Sequence, residues 1–86
     1  MREVSVVIPN YNGMEFMQIC LDSLLNQTYG KMPIIVVDNG STDGSLEYVK
    51  ETYPQVQVIA LPENTGFCHA VNIGIKSVNT PYVILL

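Results

Sequence analysis

Four short β-branched runs alternate along this chain with three amphipathic stretches, and that alternation restricts the fold more than any other feature. The runs occupy residues 4–8 (Val-Ser-Val-Val-Ile), 34–37 (Ile-Ile-Val-Val), 56–60 (Val-Gln-Val-Ile-Ala) and 82–86 (Tyr-Val-Ile-Leu-Leu). Two of them are nearly continuous Val, Ile and Leu, as expected for strands covered on both faces. The run at 56–60 begins with alternation and is placed nearer an edge. Between them, Met17, Leu21 and Leu24 recur at helical spacing in a helix over 14–26, with Asn12 three residues before Glu15 in a capping-box-like arrangement. Gly30 and Pro33 punctuate its exit. A second helix follows Ser41-Thr42-Asp43-Gly44, turns Leu46, Val49 and Tyr53 inward and stops at Pro54. The third carries Phe67, Ala70, Val71, Gly74, Ile75 and Val78 as its apolar stripe, with His69, Asn72 and Lys76 opposite. The order β-α-β-α-β-α-β predicts an α/β fold in three layers, a parallel sheet with helices on both faces.

Composition excludes several partners. The 86 residues carry a net charge of −4, and the four basic residues, Arg2, Lys31, Lys50 and Lys76, are scattered, so no nucleic-acid footprint is present. Hydrophobic residues make up 48% of so short a chain, which points to fully buried strands or to surface covered by another part of a larger protein. Cys20 and Cys68 lie on separate helices, with no CxxC and no companion histidine pair, and read as free thiols in a reducing compartment. The N-terminus runs straight into a strand with no signal peptide, and the longest apolar run is far short of the ~20 residues that cross a bilayer. A cytoplasmic location is expected, with attachment to the cytoplasmic membrane face left open.

In a parallel α/β sheet, ligands bind beyond the carboxyl ends of the strands. That directs attention to the loops at 9–13, 38–43 and 61–66. In the first, Pro9 is expected to close the strand, since its ring fixes φ and removes an N–H. Tyr11 either stacks on a planar base or covers the sheet end. In the second, a carboxylate at Asp38 could accept the imide N3–H of uracil or thymine, a proton cytosine lacks. Asn39-Gly40 supplies a turn and Ser41 to Asp43 cap the following helix. Asp43 is equally well explained as a cap alone. In the third, Gly66 opens a helix whose free amides suit phosphate, though a plain helix start also explains it. Asn72 is a solvent-facing residue or a strut for the loops, and His69 a surface residue.

Together these segments resemble glycosyltransferase family 2, inverting enzymes of the GT-A fold. The resemblance rests on Val4-Ser-Val-Val-Ile-Pro-Asn-Tyr-Asn12, on Val36-Val-Asp-Asn-Gly-Ser-Thr-Asp43, and on Glu63-Asn-Thr-Gly-Phe67 followed by Ala70-Val-Asn-Ile-Gly-Ile75. It implies strand order 3-2-1-4 and a UDP- or dTDP-sugar donor, with transfer to an acceptor hydroxyl. Tyr11 and Asp38 would bind the pyrimidine, Pro9 and Asn10 would shape its pocket, and Asp43 and Gly66 would line the same crevice. Asn12, Asn39 and Asn72 would support it. The wording of the third motif looks most like the rhamnosyl- and galactofuranosyl-transferase-like branch. Val71 stands where many members have Arg, so no role of that Arg carries over. The family's Asp-x-Asp motif, which holds Mg²⁺ or Mn²⁺, follows the fourth strand. Residues 1–86 are therefore expected to be the donor-nucleotide half of a larger domain, inactive alone, with weak UDP or dTDP affinity. Self-association through the strand at Tyr82 to Leu86 is expected as well.

Rival classes fit less well. A receiver-type module needs an acidic pair after its first strand, and Pro9-Asn-Tyr-Asn has none. A nucleotidyltransferase needs a basic glycine-rich loop there, and Pro9 to Gly13 has neither Lys nor Arg. A non-catalytic nucleotide-binding or structural α/β module remains the alternative.

Overall fold

The computed structural model describes residues 4–26 and 33–86, so the expected helix-ending role of Gly30 lies outside the described residues. Seven elements follow one another: β1 (Val4–Asn10), α1 (Met14–Asn26), β2 (Ile34–Asn39), α2 (Ser45–Thr52), β3 (Gln57–Leu61), α3 (Phe67–Lys76) and β4 (Tyr82–Leu85). All strand pairs are parallel and the sheet order is β3-β2-β1-β4, the expected topology.

Successive strand residues face opposite sides of a sheet, and here the two sides become two cores. Val6, Ile8, Ile34 and Val36 meet Met17 and Leu21 of α1 and Val49 and Tyr53 of α2. Val7, Ile35 and Val37 meet Ala70 of α3 on the other side. Helices α1 and α2 thus share one face and α3 covers the second. Gly74 makes the α3 contact close: a Cβ there would lie 2.5 Å from Val7 Cγ1 and 3.0 Å from Val37 Cγ2.

Several boundaries and contacts differ from expectation. Proline does not end β1, which continues through Pro9 to Asn10. Val7 offers its carbonyl to the Leu86 N–H on the β4 side, and residues two apart face the same neighbour. Pro9 therefore faces the β4 side, where the strand pairing stops at Val7 opposite Leu85, so its missing N–H breaks no ladder bond. On α3, the stripe is narrower than its spacing suggested. Phe67 and Ile75 are exposed, while Ala70, Val71 and Gly74 are buried. Leu46 and Leu24 are only half-buried.

Candidate functional site

The carboxyl ends of β1 and β2 lie side by side, with Asn10 in register with Asp38. Both side chains are buried, and polar groups taken from water must be hydrogen-bonded. Asn10 Nδ2 donates to Asp38 Oδ1 and to Ser45 Oγ, each at 2.9 Å, and more weakly to Ser41 Oγ at 3.3 Å. Asn10 Oδ1 accepts the Gly13 N–H at 3.1 Å. Asp38 Oδ2 accepts the Ser41 N–H at 2.9 Å. Asp38 is 1% exposed and does not line the cleft described below, so it can reach a ligand only if the residues covering it move.

Asp43 holds two helix starts at once. Its Oδ2 accepts the Met14 N–H that opens α1 at 3.2 Å, and its Oδ1 accepts the Ser45 N–H and hydroxyl that open α2 at 2.9 and 2.6 Å. The Ser45 hydroxyl, foremost, and the backbone N–H groups hold this carboxyl below its ordinary value. Asn12 does not form the expected cap of its own helix. It sits at φ 53°, a left-handed conformation that Asn tolerates, and its Oδ1 accepts the Thr42 N–H at 2.7 Å while its own N–H goes to Ser41 Oγ. The first and second loops are laced together by these bonds.

Asn39, the next residue along β2, faces the opposite side and ties down the third loop. Its Oδ1 accepts the Thr65 N–H and hydroxyl at 2.9 and 3.0 Å. Its Nδ2 donates to Asn64 Oδ1 and to the Gly66 carbonyl, both at 3.1 Å. Gly40 lets the two backbones touch: at φ 82°, a Cβ on it would lie 2.6 to 2.8 Å from the backbone of Glu63 and Asn64. The dipeptide Asp38-Asn39 thus braces both layers from the end of one central strand.

What these braces leave open is a cleft of about 160 Å³, lined by Pro9, Asn10, Tyr11, Asn39, Asn64 and Phe67. Tyr11 is 51% and Phe67 62% exposed, large rings left in solvent at the mouth of this notch. Of the residues singled out in the sequence, Pro9, Asn10, Tyr11 and Asn39 line the cleft. Asp43 and Asn12 act in the neighbouring loop brace. Gly66 opens α3 at φ 94° with nothing within 4 Å of the space its Cβ would fill. Asn72 is exposed on α3 and takes no part in these bonds, and His69 is exposed too. Sequence reasoning missed Asn64 and Phe67. Phe67 falls on the helical apolar spacing that marks core residues, yet its ring is exposed; its position directly after the loop glycine is the signal that sets it apart.

No group of three or more His, Cys, Asp or Glu among the described residues could hold a metal ion. Asp38 and Asp43, the two carboxylates of the second loop, are engaged by N–H and O–H donors, an arrangement that does not fit a cation.

A parallel α/β sheet with a cleft at the carboxyl ends of its strands is the class that fold and site define. The glycosyl transferase family 2 model matches residues 5–86, and the chain belongs to that family. The chain is 34% identical over its whole length to 12% of a teichoic acid poly(glycerol phosphate) polymerase of Staphylococcus epidermidis. It is 35% identical, over 93% of its length, to 8% of a chondroitin synthase of Pasteurella multocida. Among solved structures it resembles S. aureus TarS 1-349 in complex with UDP, with TM-score 0.87 and 28% identity over all of this chain and 27% of that one. It also resembles a mannosyltransferase of Pyrobaculum calidifontis in complex with GDP-Man and Mn²⁺, with TM-score 0.77 and 30% identity over 92% of this chain and 25% of that one. The chain therefore spans about a quarter or less of these relatives, and its sheet is that of the GT-A fold.

Proposed function

We propose that these residues form the donor-nucleotide part of a glycosyltransferase that moves a sugar from a UDP- or dTDP-sugar to an acceptor hydroxyl with inversion. The observation that carries this reading is the cleft between Tyr11 and Phe67. Its volume of about 160 Å³ is well below the roughly 300–1,000 Å³ of sites that enclose a drug-sized ligand. It suits one ring system, a base, with ribose, diphosphate and sugar outside. Tyr11 stacks on the base, Pro9 and Asn10 form the floor, and Asp38 fixes Asn10 in place through its 2.9 Å bond. Gly66 leaves room at the α3 start for the rest of the nucleotide.

In this reading the acceptor, the carboxylate base and the ligands of any Mg²⁺ or Mn²⁺ come from outside these 86 residues, which do not catalyse alone. The Glu63-Asn-Thr-Gly-Phe67 wording favours a rhamnosyl- or galactofuranosyl-transferase-like member, acting at the cytoplasmic side with Cys20 and Cys68 as free thiols. The exposed apolar edge of β4, with Tyr82, Ile84, Leu85 and Leu86 in solvent, supports self-association of the chain. The internal closure of Asp38 and Asp43 favours, as a second reading, a structural α/β module that binds no nucleotide. Calorimetric titration with UDP separates the two. Saturable millimolar or tighter binding that Tyr11→Ala weakens is expected; the absence of any binding at millimolar UDP overturns the donor-site reading.

A further inference from the structure

Two asparagines precede glycine, in Asn12-Gly13 and in Asn39-Gly40. That dipeptide is chemically labile, because glycine has no Cβ to shield its nitrogen from the preceding carboxamide. The fold treats the two pairs differently. Asn39 is 5% exposed, and both ends of its carboxamide are held. Its Oδ1 accepts from the Thr65 N–H and hydroxyl, and its Nδ2 donates to Asn64 Oδ1 and to the Gly66 carbonyl. Gly40 also lies against the backbone of Glu63 and Asn64, which hems it in. Asn12 stands in solvent. A single bond holds its carboxamide, from the Thr42 N–H to Oδ1 at 2.7 Å, and Nδ2 has no partner among the described residues. A second bond, at 3.1 Å, keeps the Gly13 N–H on Asn10 Oδ1.

We infer that Asn12 is a site of spontaneous covalent modification, losing its amide to become aspartate and isoaspartate, while the fold protects Asn39. Once the two bonds at Asn12-Gly13 open, Gly13 N attacks Asn12 Cγ. The Cγ–Nδ2 bond breaks, and ammonia departs with the proton that Gly13 N gives up. Solvent water then adds to the cyclic imide and opens either of its C–N bonds. One opening gives aspartate. The other routes the main chain through the side chain, lengthens it by a methylene and shifts residue 12 against its partners Ser41 and Thr42. Either product adds a negative charge to loops that already hold Asp38 and Asp43. Each bond that must open lowers the reactive population by roughly two- to ten-fold. Four bonds restrain the Asn39 carboxamide, and two restrain Asn12-Gly13.

The test is a time course of the 86-residue chain held warm at mildly alkaline pH, with and without concentrated urea. Peptide mapping by mass spectrometry reads the amide-to-acid mass change, localises it by fragmentation and separates aspartate from isoaspartate by retention. In the folded chain Asn12 is expected to convert at least about five-fold faster than Asn39. In urea that gap should narrow, since both pairs then meet solvent alike. A smaller gap in the folded chain overturns the assignment. So does a folded Asn12 that stays intact while the urea sample converts. A gap in urea as wide as in the folded chain overturns it too, because local sequence and not the fold would then set the order.

Discussion

Gly40→Ala separates the two reasons a glycine can be required. At φ 82° an alanine pays the left-handed conformational cost, about 1–2 kcal/mol. Its Cβ would also arrive 2.6 Å from Glu63 C and 2.8 Å from Asn64 N, both backbone atoms that cannot rotate away. The third loop must withdraw, and the Asn39 bonds to Asn64, Thr65 and Gly66 stretch with it. Overpacking of this kind costs a further ~1–3 kcal/mol. Gly44→Ala is the control. It has nearly the same φ, 88°, but its Cβ would meet nothing nearer than Met14 Cε at 3.7 Å. At ~4–8 °C per kcal/mol for a domain of this size, Gly40→Ala should lower Tm by about 8–40 °C and Gly44→Ala by about 4–16 °C. Circular dichroism melts and urea titrations read both. Equal losses for the two variants would show that the second and third loops do not touch at Gly40, and the cleft built on that contact would fail with it.

The remaining expectations concern charge and association. Asp43 is held below the ordinary carboxylate value of 3.8, so the stability it supplies is complete above that pH and is lost as pH falls through its lowered value; Asp43→Asn should flatten the acid limb of a stability profile. Burial, reinforced by the 2.6 Å bond to Asp22 Oδ1, pushes the Tyr53 hydroxyl upward from 10.0. Its contribution is whole below pH 10 and is lost as pH rises beyond it, so Tyr53→Phe should weaken the neutral protein by ~1 kcal/mol and remove that alkaline sensitivity in pH-dependent urea unfolding. Ile84→Lys places a charge on the β4 edge and should convert an associating chain to a monomer in light scattering; an unaltered chain already monomeric at tens of micromolar would sink that expectation.

Element order, a parallel sheet with helices on both faces and the location of the cleft were legible because they depend on long-period patterning, whereas the strand order followed only from the family resemblance. Apolar runs of strand length, helices between them and polar loops after each strand admit few arrangements. What escaped was what individual side chains do at the strand ends. Asp38 reads as an outward-facing acid because it follows Val36-Val37, yet its register partner Asn10 closes over it, a contact 28 residues away in sequence. Asn12 has the spacing of a cap for α1, but its left-handed backbone sends the carboxamide to Thr42 instead. Phe67 shares the helical period of the core, but α3 approaches the sheet at Gly74, away from the end that carries its ring. These outcomes are set by tertiary partners that local spacing does not encode.

The sharing of Asp43 between α1 and α2 bears on how this end of the molecule responds to ionic strength. Peptide dipoles give the start of a helix partial positive charge that favours anions, yet at two of the three helix starts here a resident carboxylate already answers it. The surrounding loops add Asp38 and Glu63 and no lysine or arginine. The diphosphate of a donor bound as proposed would therefore meet a repulsive local field, and dissolved salt screens repulsion as well as attraction. Nucleotide affinity should rise from low to moderate ionic strength, the opposite of a phosphate site built from basic side chains.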